Sequence, residues 1–228
     1  MKRVLSPEVM DDPALPKKEL DHALRGLARL NAVSGAARVT IGAVARAAGP
    51  RPCRVLDVAC ASGDFALRLA SYAKARSLAW RVSGCDVNPL AIAHATSRAR
   101  DMGVDADFFT CDVIEREWKG AFDVAVCSLF LHHLEREQAQ ALLARMARHA
   151  RTVIVNDLVR SAWNAVAIGA ASRLLTRSRV VHTDAVLSAR AAWTRREILE
   201  IAERAGLSGA TISFGGISRM MLVWSRPE

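Results

Sequence analysis

The sequence has no uninterrupted apolar run approaching the ~18 residues that a membrane-spanning helix needs. It has no Cys-x-x-Cys pair, and its 5 cysteines are an odd number, which fits neither a disulfide framework nor a zinc site. Cys60, Cys85, Cys111 and Cys127 fall near expected strand ends, where small buried residues are at home. Long blocks of one charge sign are missing as well. The net charge of +9 could draw nucleic acid, an anionic membrane surface or an acidic substrate. Its arginines, however, are dispersed among alanines and are dense only at 173–179 and 190–196. That distribution suits a solvated surface better than a nucleic-acid interface, so no nucleic-acid partner is expected. Internal repeats, low-complexity tracts and signs of a second domain are absent. The first residues lead into acids and prolines, not a signal-peptide core, and a cytoplasmic location is expected.

What is there is a chain of 228 residues, 51% of them hydrophobic, suited to one α/β domain with a full core. Residues 1–16 carry three prolines and read as a loose, exposed lead-in. Leu20, Leu24, Leu27 and Leu30 then recur at helical spacing, and Ser34-Gly35 divides a helical pair that ends before Gly49-Pro50. Strand candidates follow at 54–58, 81–86, 106–111, 122–129 and 152–157, separated by helical stretches at 65–72, 89–102 and 135–150. This alternation predicts a parallel sheet with helices on both faces and a site at the carboxyl ends of the strands. Residues 158–193 break the rhythm with an alanine-rich helix, 162–175, and an irregular tail carrying His182, Asp184 and Arg190. A helix at 194–205 and two strands joined by Gly215-Gly216 complete the chain. The stretch 1–49 is expected to act as a helical cover and 158–193 as a lid insert beside an apolar pocket.

The organising stretch is Arg54-Val55-Leu56-Asp57-Val58-Ala59-Cys60-Ala61-Ser62-Gly63-Asp64. It reads as a buried strand, a turn of small residues and a helix N-terminus whose free N–H groups point at a ligand. It resembles motif I of the class I S-adenosylmethionine (SAM) methyltransferases, Asp-x-Gly-x-Gly-x-Gly, with Asp57, Ala59, Ala61 and Gly63 in those places. Two of the three glycines are thus alanines, which tolerate positive φ poorly. Asp86, 23 residues after Gly63, suits the acid that grips a ribose diol, with Val87 beside it; a strand-end or capping aspartate is the plainer alternative. Asp112-Val113 resembles the family's adenine site. A dinucleotide fold is disfavoured, because Ala-x-Ala-x-Gly followed by Asp64 does not welcome a diphosphate. The resemblance implies a Rossmann-like fold with a seven-stranded, mostly parallel sheet and an antiparallel last strand. It also implies SAM as cofactor and S-adenosylhomocysteine (SAH) as product.

Ser128-Leu129-Phe130-Leu131-His132-His133-Leu134 resembles the Leu-His-His signature ending strand four in many small-molecule methyltransferases. Ser128 joins the expected cofactor set. The resemblance implies that a histidine here and Asp157 act as base and orienting partner, with His132 favoured as the inward residue and His133 as its packing neighbour. Packing or helix capping by both is the alternative. Residues 156–161, 174–178 and 203–207 are similar to bacterial methyltransferases encoded beside type III polyketide synthases. The reading is therefore an O-methyltransferase acting on a small phenolic or polyketide-type acceptor, with no metal. A quinone-type C-methyltransferase and a nucleic-acid-modifying or nucleic-acid-binding protein are the alternatives, although no Asn-Pro-Pro-Tyr type motif follows strand four.

Overall fold

Seven strands form one sheet in the order β3-β2-β1-β4-β5-β7-β6. The computed structural model describes every residue except 13, 117, 119 and 228. The strands are β1 (Cys53–Val58), β2 (Trp80–Asp86), β3 (Ala106–Thr110), β4 (Phe122–Ser128), β5 (Ala150–Leu158), β6 (Thr211–Phe214) and β7 (Arg219–Ser225). β1 to β5 run parallel, and β7 enters antiparallel between β5 and β6. This is the expected Rossmann-like methyltransferase arrangement, a mostly parallel sheet with helices on both faces.

Alternation along the strands divides the core into two layers. From β4, Val124 and Val126 join Val55, Val82 and Ile154 on one face. There they meet α2 (Ala36–Ala48) and α3 (Asp64–Ala75). Ala125 and Cys127 point the other way, toward α5 (Arg136–His149) and α8 (Arg195–Arg204). Capping explains where these helices begin. Asn88 accepts from the N–H groups of Leu90 and Ala91 and opens α4 (Pro89–Met102), with Pro89 in the first turn. Glu135 with Gln138 and Thr194 with Glu197 form capping boxes for α5 and α8.

Two local expectations are corrected. The tail after residue 175 is not irregular: α6 (Ala162–Leu175) is followed by a second helix, α7 (Arg179–Ala191). Ser178 caps α7 by accepting from the N–H of Val181, and Val180, Val181 and Ala189 are buried. Its β-branched residues and its buried Asp184 hid the periodicity. The lead-in is not loose either. The Arg3 guanidinium lies 3.7 Å from the Trp193 ring centroid and donates to the carbonyls of Ala191 and Leu134 at 2.6 and 2.7 Å. The Asp184 carboxylate accepts from the N–H groups of Val9 and Met10 at 2.8 and 3.0 Å. Long-range partners order this segment, whose regular structure is one short 3₁₀ turn, Val9–Asp11, among the described residues. α1 (Lys17–Val33), α6 and α7 pack against one another beside the carboxyl ends of β4 and β5, where Leu129 and Leu158 meet Ile168 and Ala189.

Candidate active site

At the end of β1 the chain turns through Ala59, Ala61 and Gly63 at φ values of 55°, 47° and 74°. All three lie in the left-handed region, so the two alanines hold the conformation that glycine adopts without penalty, at a cost of order 1–2 kcal/mol each. Gly63 is required for a second reason. A Cβ there would sit 2.7 Å from Phe108 Cε1 and 2.9 Å from Ala95 Cβ, so the ring of β3 and the side of α4 close directly on the turn.

The strand-end acids differ in environment. Asp57 is buried, and its Oδ2 has no hydrogen-bond partner among the described residues. Burial pushes its carboxyl up to about 8; the neighbouring Asp86 and Asp64 charges add to this, and the Ala66 N–H works against it. Asp86 accepts from the N–H of Ala61 (2.8 Å) and of Asn88 (2.9 Å), one on each oxygen, bracing the turn against the tip of β2. Each oxygen keeps a second lone pair for a ligand. Val87 follows it, exposed. Asp112 accepts from Glu115 and Ile114 N–H groups through Oδ1, and these bonds hold its carboxyl below the usual range. Val113 is buried, its carbonyl accepting from Arg145. Ser128 ends β4 opposite Asn156 of β5.

These residues fit the adenosyl and amino-acid parts of SAM. A close-approach turn, an orphaned buried carboxylate oxygen and two strand-end acids with spare acceptor capacity line adjacent strands. Asp57, Ala59, Ala61, Gly63, Asp86, Val87, Asp112, Val113 and Ser128 all sit at or just beyond the carboxyl ends of β1 to β4.

A second cluster lies at the ends of β4 and β5. Leu129, at φ 55°, redirects the chain into a 3₁₀ turn, Leu131–His133. His132 is buried there. Its Nδ1 lies 2.7 Å from Asp157 Oδ1, and its backbone N–H donates to Asp157 Oδ2 at 3.1 Å. The Leu158 N–H donates to Oδ1 at 2.7 Å. Burial alone would lower the His132 pKa, but the Asp157 charge and hydrogen bond outweigh it and the net shift is upward. Burial likewise opposes ionisation of Asp157, yet His132 holds that carboxyl below its ordinary value. His133 stacks obliquely on His132, centroids 4.1 Å apart; burial and the neighbouring imidazole push it down to about 4.

His132 and His133 open on an apolar cavity of about 200 Å³. Leu27 and Leu30 of α1, Ile168 and Leu175 of α6, and Leu129 and Leu158 from the sheet contribute walls. Three lining residues escaped the sequence reading. Glu8 places Oε1 3.9 Å from His132 Nε2 and accepts from the Ser188 hydroxyl of α7; burial raises its carboxyl. Asn31 and Arg219 also line the cavity. A charge opening the otherwise apolar β7 was the available signal for Arg219, whereas nothing local marks Glu8. Glu8, His132 and His133 offer donor atoms within 4.8 Å of one another, a spacing that would suit a metal ion as well as a proton relay.

Comparison with known proteins bears on the fold. Residues 55–152 match the family model described as a methyltransferase domain. No curated protein matches the chain. Among solved structures, magnesium protoporphyrin IX methyltransferase from Synechocystis with bound SAH is 16% identical, TM-score 0.62, over 96% of this chain and 91% of that one. The plantazolicin methyltransferase, solved in complex with a triazolic desmethylplantazolicin analogue and SAH, is 18% identical, TM-score 0.66, over 88% and 72%. A candidate O-methyltransferase from Nostoc punctiforme is 18% identical, TM-score 0.65, over 93% of this chain. The chain spans only 62% of that protein's length. Residues 55–152 are thus similar to a methyltransferase domain, and the chain has the fold of these methyltransferase structures.

Proposed function

We propose that this SAM-dependent methyltransferase transfers a methyl group to a hydroxyl of a small, largely apolar aromatic acceptor, phenolic or of polyketide type, leaving SAH. The observation that carries the reading is the buried His132–Asp157 pair, with His132 lining an apolar cavity, at the ends of β4 and β5 next to β1, which leads into the 59–63 turn. When bound, SAM supplies an electrophilic methyl group on a sulfonium. Asp86 would hold the ribose, Asp112 and Val113 the adenine, and Asp57 with the 59–63 turn the amino-acid end.

Asp157 accepts the Nδ1 proton of His132 and so leaves the Nε2 lone pair free to accept the acceptor's proton. A free phenol has a pKa near ~10 and an ordinary imidazole about 6.5, so full proton transfer is uphill by roughly 5 kcal/mol. Raising the His132 pKa narrows that gap. It also protonates more of the base near neutral pH, so the rate should climb with pH through the raised value. The apolar walls exclude water and keep the acceptor oxygen in line with the methyl group, the larger share of the acceleration.

His132→Ala should lower kcat by roughly 10²- to 10⁴-fold, the usual worth of a general base, with SAM affinity nearly unchanged. His133→Ala should chiefly reduce stability. Turnover of 3-pentylphenol with radiolabelled SAM measures the rate, and calorimetry the affinity. Product NMR separates an O-methyl from a C-methyl product. Near wild-type kcat in both variants would remove the base assignment.

A further inference from the structure

Arg219 opens β7 at the rim of the cavity and is only 8% exposed. Its guanidinium has five N–H donors and, among the described residues, makes one hydrogen bond, from Nη2 to Asn31 Oδ1 of α1 at 2.8 Å. Among the described residues no carboxylate forms an ion pair with it. Asp157 is near enough to favour the cation, but both of its oxygens are already engaged by N–H groups of His132 and Leu158. A buried guanidinium left with a single neutral partner is costly. Here it faces a cavity that can admit its missing partner.

We propose that Arg219 and Asn31 form a subsite for a carboxylate carried by the acceptor on the same ring as the hydroxyl to be methylated. This rests on reading the cavity as the acceptor pocket. The planar guanidinium fork suits a carboxylate's two oxygens. Asn31, whose oxygen accepts from the Arg219 N–H, keeps its N–H₂ donors for the same group. Two carboxyls are among the described residues lining the cavity, Glu8 and Asp184. Glu8 is tied to Ser188 of α7 and burial favours its neutral form, while both Asp184 oxygens accept from the N–H groups of Val9 and Met10. Both arrangements lessen repulsion of an anionic ligand. The acceptor class becomes a hydroxybenzoate with an apolar tail, the tail lying among the α1 and α6 side chains.

The test is calorimetry on the whole protein with SAH present, using 3-hydroxy-5-pentylbenzoate, 2-hydroxy-6-pentylbenzoate and, as the neutral match, 3-pentylphenol. At least one benzoate should bind the wild type ten- to a hundredfold more tightly than the phenol, the usual worth of a charge-assisted pair. Arg219→Met should erase that preference while changing phenol affinity by less than about threefold, and Arg219→Lys should keep part of it. If Arg219→Met fails to fold, Asn31→Ala reads the same preference with a smaller expected loss. Equal binding of all three ligands by the wild type, or a preference untouched in Arg219→Met, would overturn the subsite. A benzoate preference without methylation of any hydroxyl would leave the subsite standing and remove the hydroxyl-methylation reading. Methylated phenol with no benzoate preference would do the reverse.

Discussion

Replacing Asp157 by Asn keeps the volume beside His132 and removes its charge. In the wild type the carboxylate accepts three N–H donors, His132 Nδ1–H, His132 N–H and Leu158 N–H. An amide has one accepting oxygen, so either orientation forces its N–H₂ group against an N–H. With the oxygen at the Oδ1 position, Nδ1–H and the Leu158 N–H are kept and the His132 backbone N–H is opposed. With the oxygen at Oδ2, His132 must turn to the other tautomer, and Nε2 then carries a proton and cannot act as a base. Losing a charge-assisted bond and leaving a buried donor unsatisfied costs about 3 kcal/mol in stability, or a Tm lower by roughly 6–12 °C for a chain of this size. The catalytic loss should be about ten- to a hundredfold in kcat, smaller than for His132→Ala because the imidazole remains. The pH profile is the sharper readout. Burial lowers the His132 pKa and Asp157 more than reverses it; without that charge the pKa must fall, and the acid limb of kcat must move to lower pH. Turnover of 3-pentylphenol across pH 5–9 measures this. An acid limb that stays in place in Asp157→Asn would refute the assignment of that limb to His132.

Two further outcomes follow from the cofactor side. Asp86→Ala should weaken SAM about ten- to a hundredfold by calorimetry, since it removes charged acceptors for the ribose and the brace on Ala61. Asp57 offers a stability test of unusual sign. Its folded carboxyl is pushed up to about 8, so between the unfolded value near ~4 and pH 8 the folded state holds more protons. Stability of the ligand-free protein should therefore fall as pH rises through that window, and Asp57→Asn should flatten the fall in a Tm-versus-pH series while weakening SAM.

Much of the cofactor half was legible because its information is local. Asp57, Asp86 and Asp112 lie on or just past parallel strands at intervals set by the βα repeat, and parallel register brings them to one sheet edge. The hairpin around Gly215-Gly216 was equally plain, because β7 is apolar from Met220 to Trp224 and follows turn residues. The length of α7 was not, since Asp184 interrupts its apolar face; the reason for that acid lies 175 residues away, in the backbone of Val9. The same separation hid Glu8, which reaches His132 only because Arg3 and Asp184 anchor the lead-in across α7 and the 3₁₀ turn. The residues assigned to the cofactor are therefore written in motif spacing, whereas those that line the apolar cavity come from α1, α6, β7 and the N-terminal segment and meet only in the folded chain.

The two alanines of the turn carry the argument one step further. Glycine at both positions would remove the left-handed strain at no loss of hydrogen bonding, because the bond from the Ala61 N–H to Asp86 and that from the Cys60 N–H to the Cys85 carbonyl are made by the backbone. The methyl groups restrict the unfolded chain and hold the turn less adaptably than glycine would. Gly63 has no such latitude, since Phe108 and Ala95 occupy the space of its Cβ. The turn can therefore accept alanine at its first two positions and not at its third. That asymmetry is set by packing against β3 and α4, and it explains how a motif short of two glycines still builds the cofactor turn.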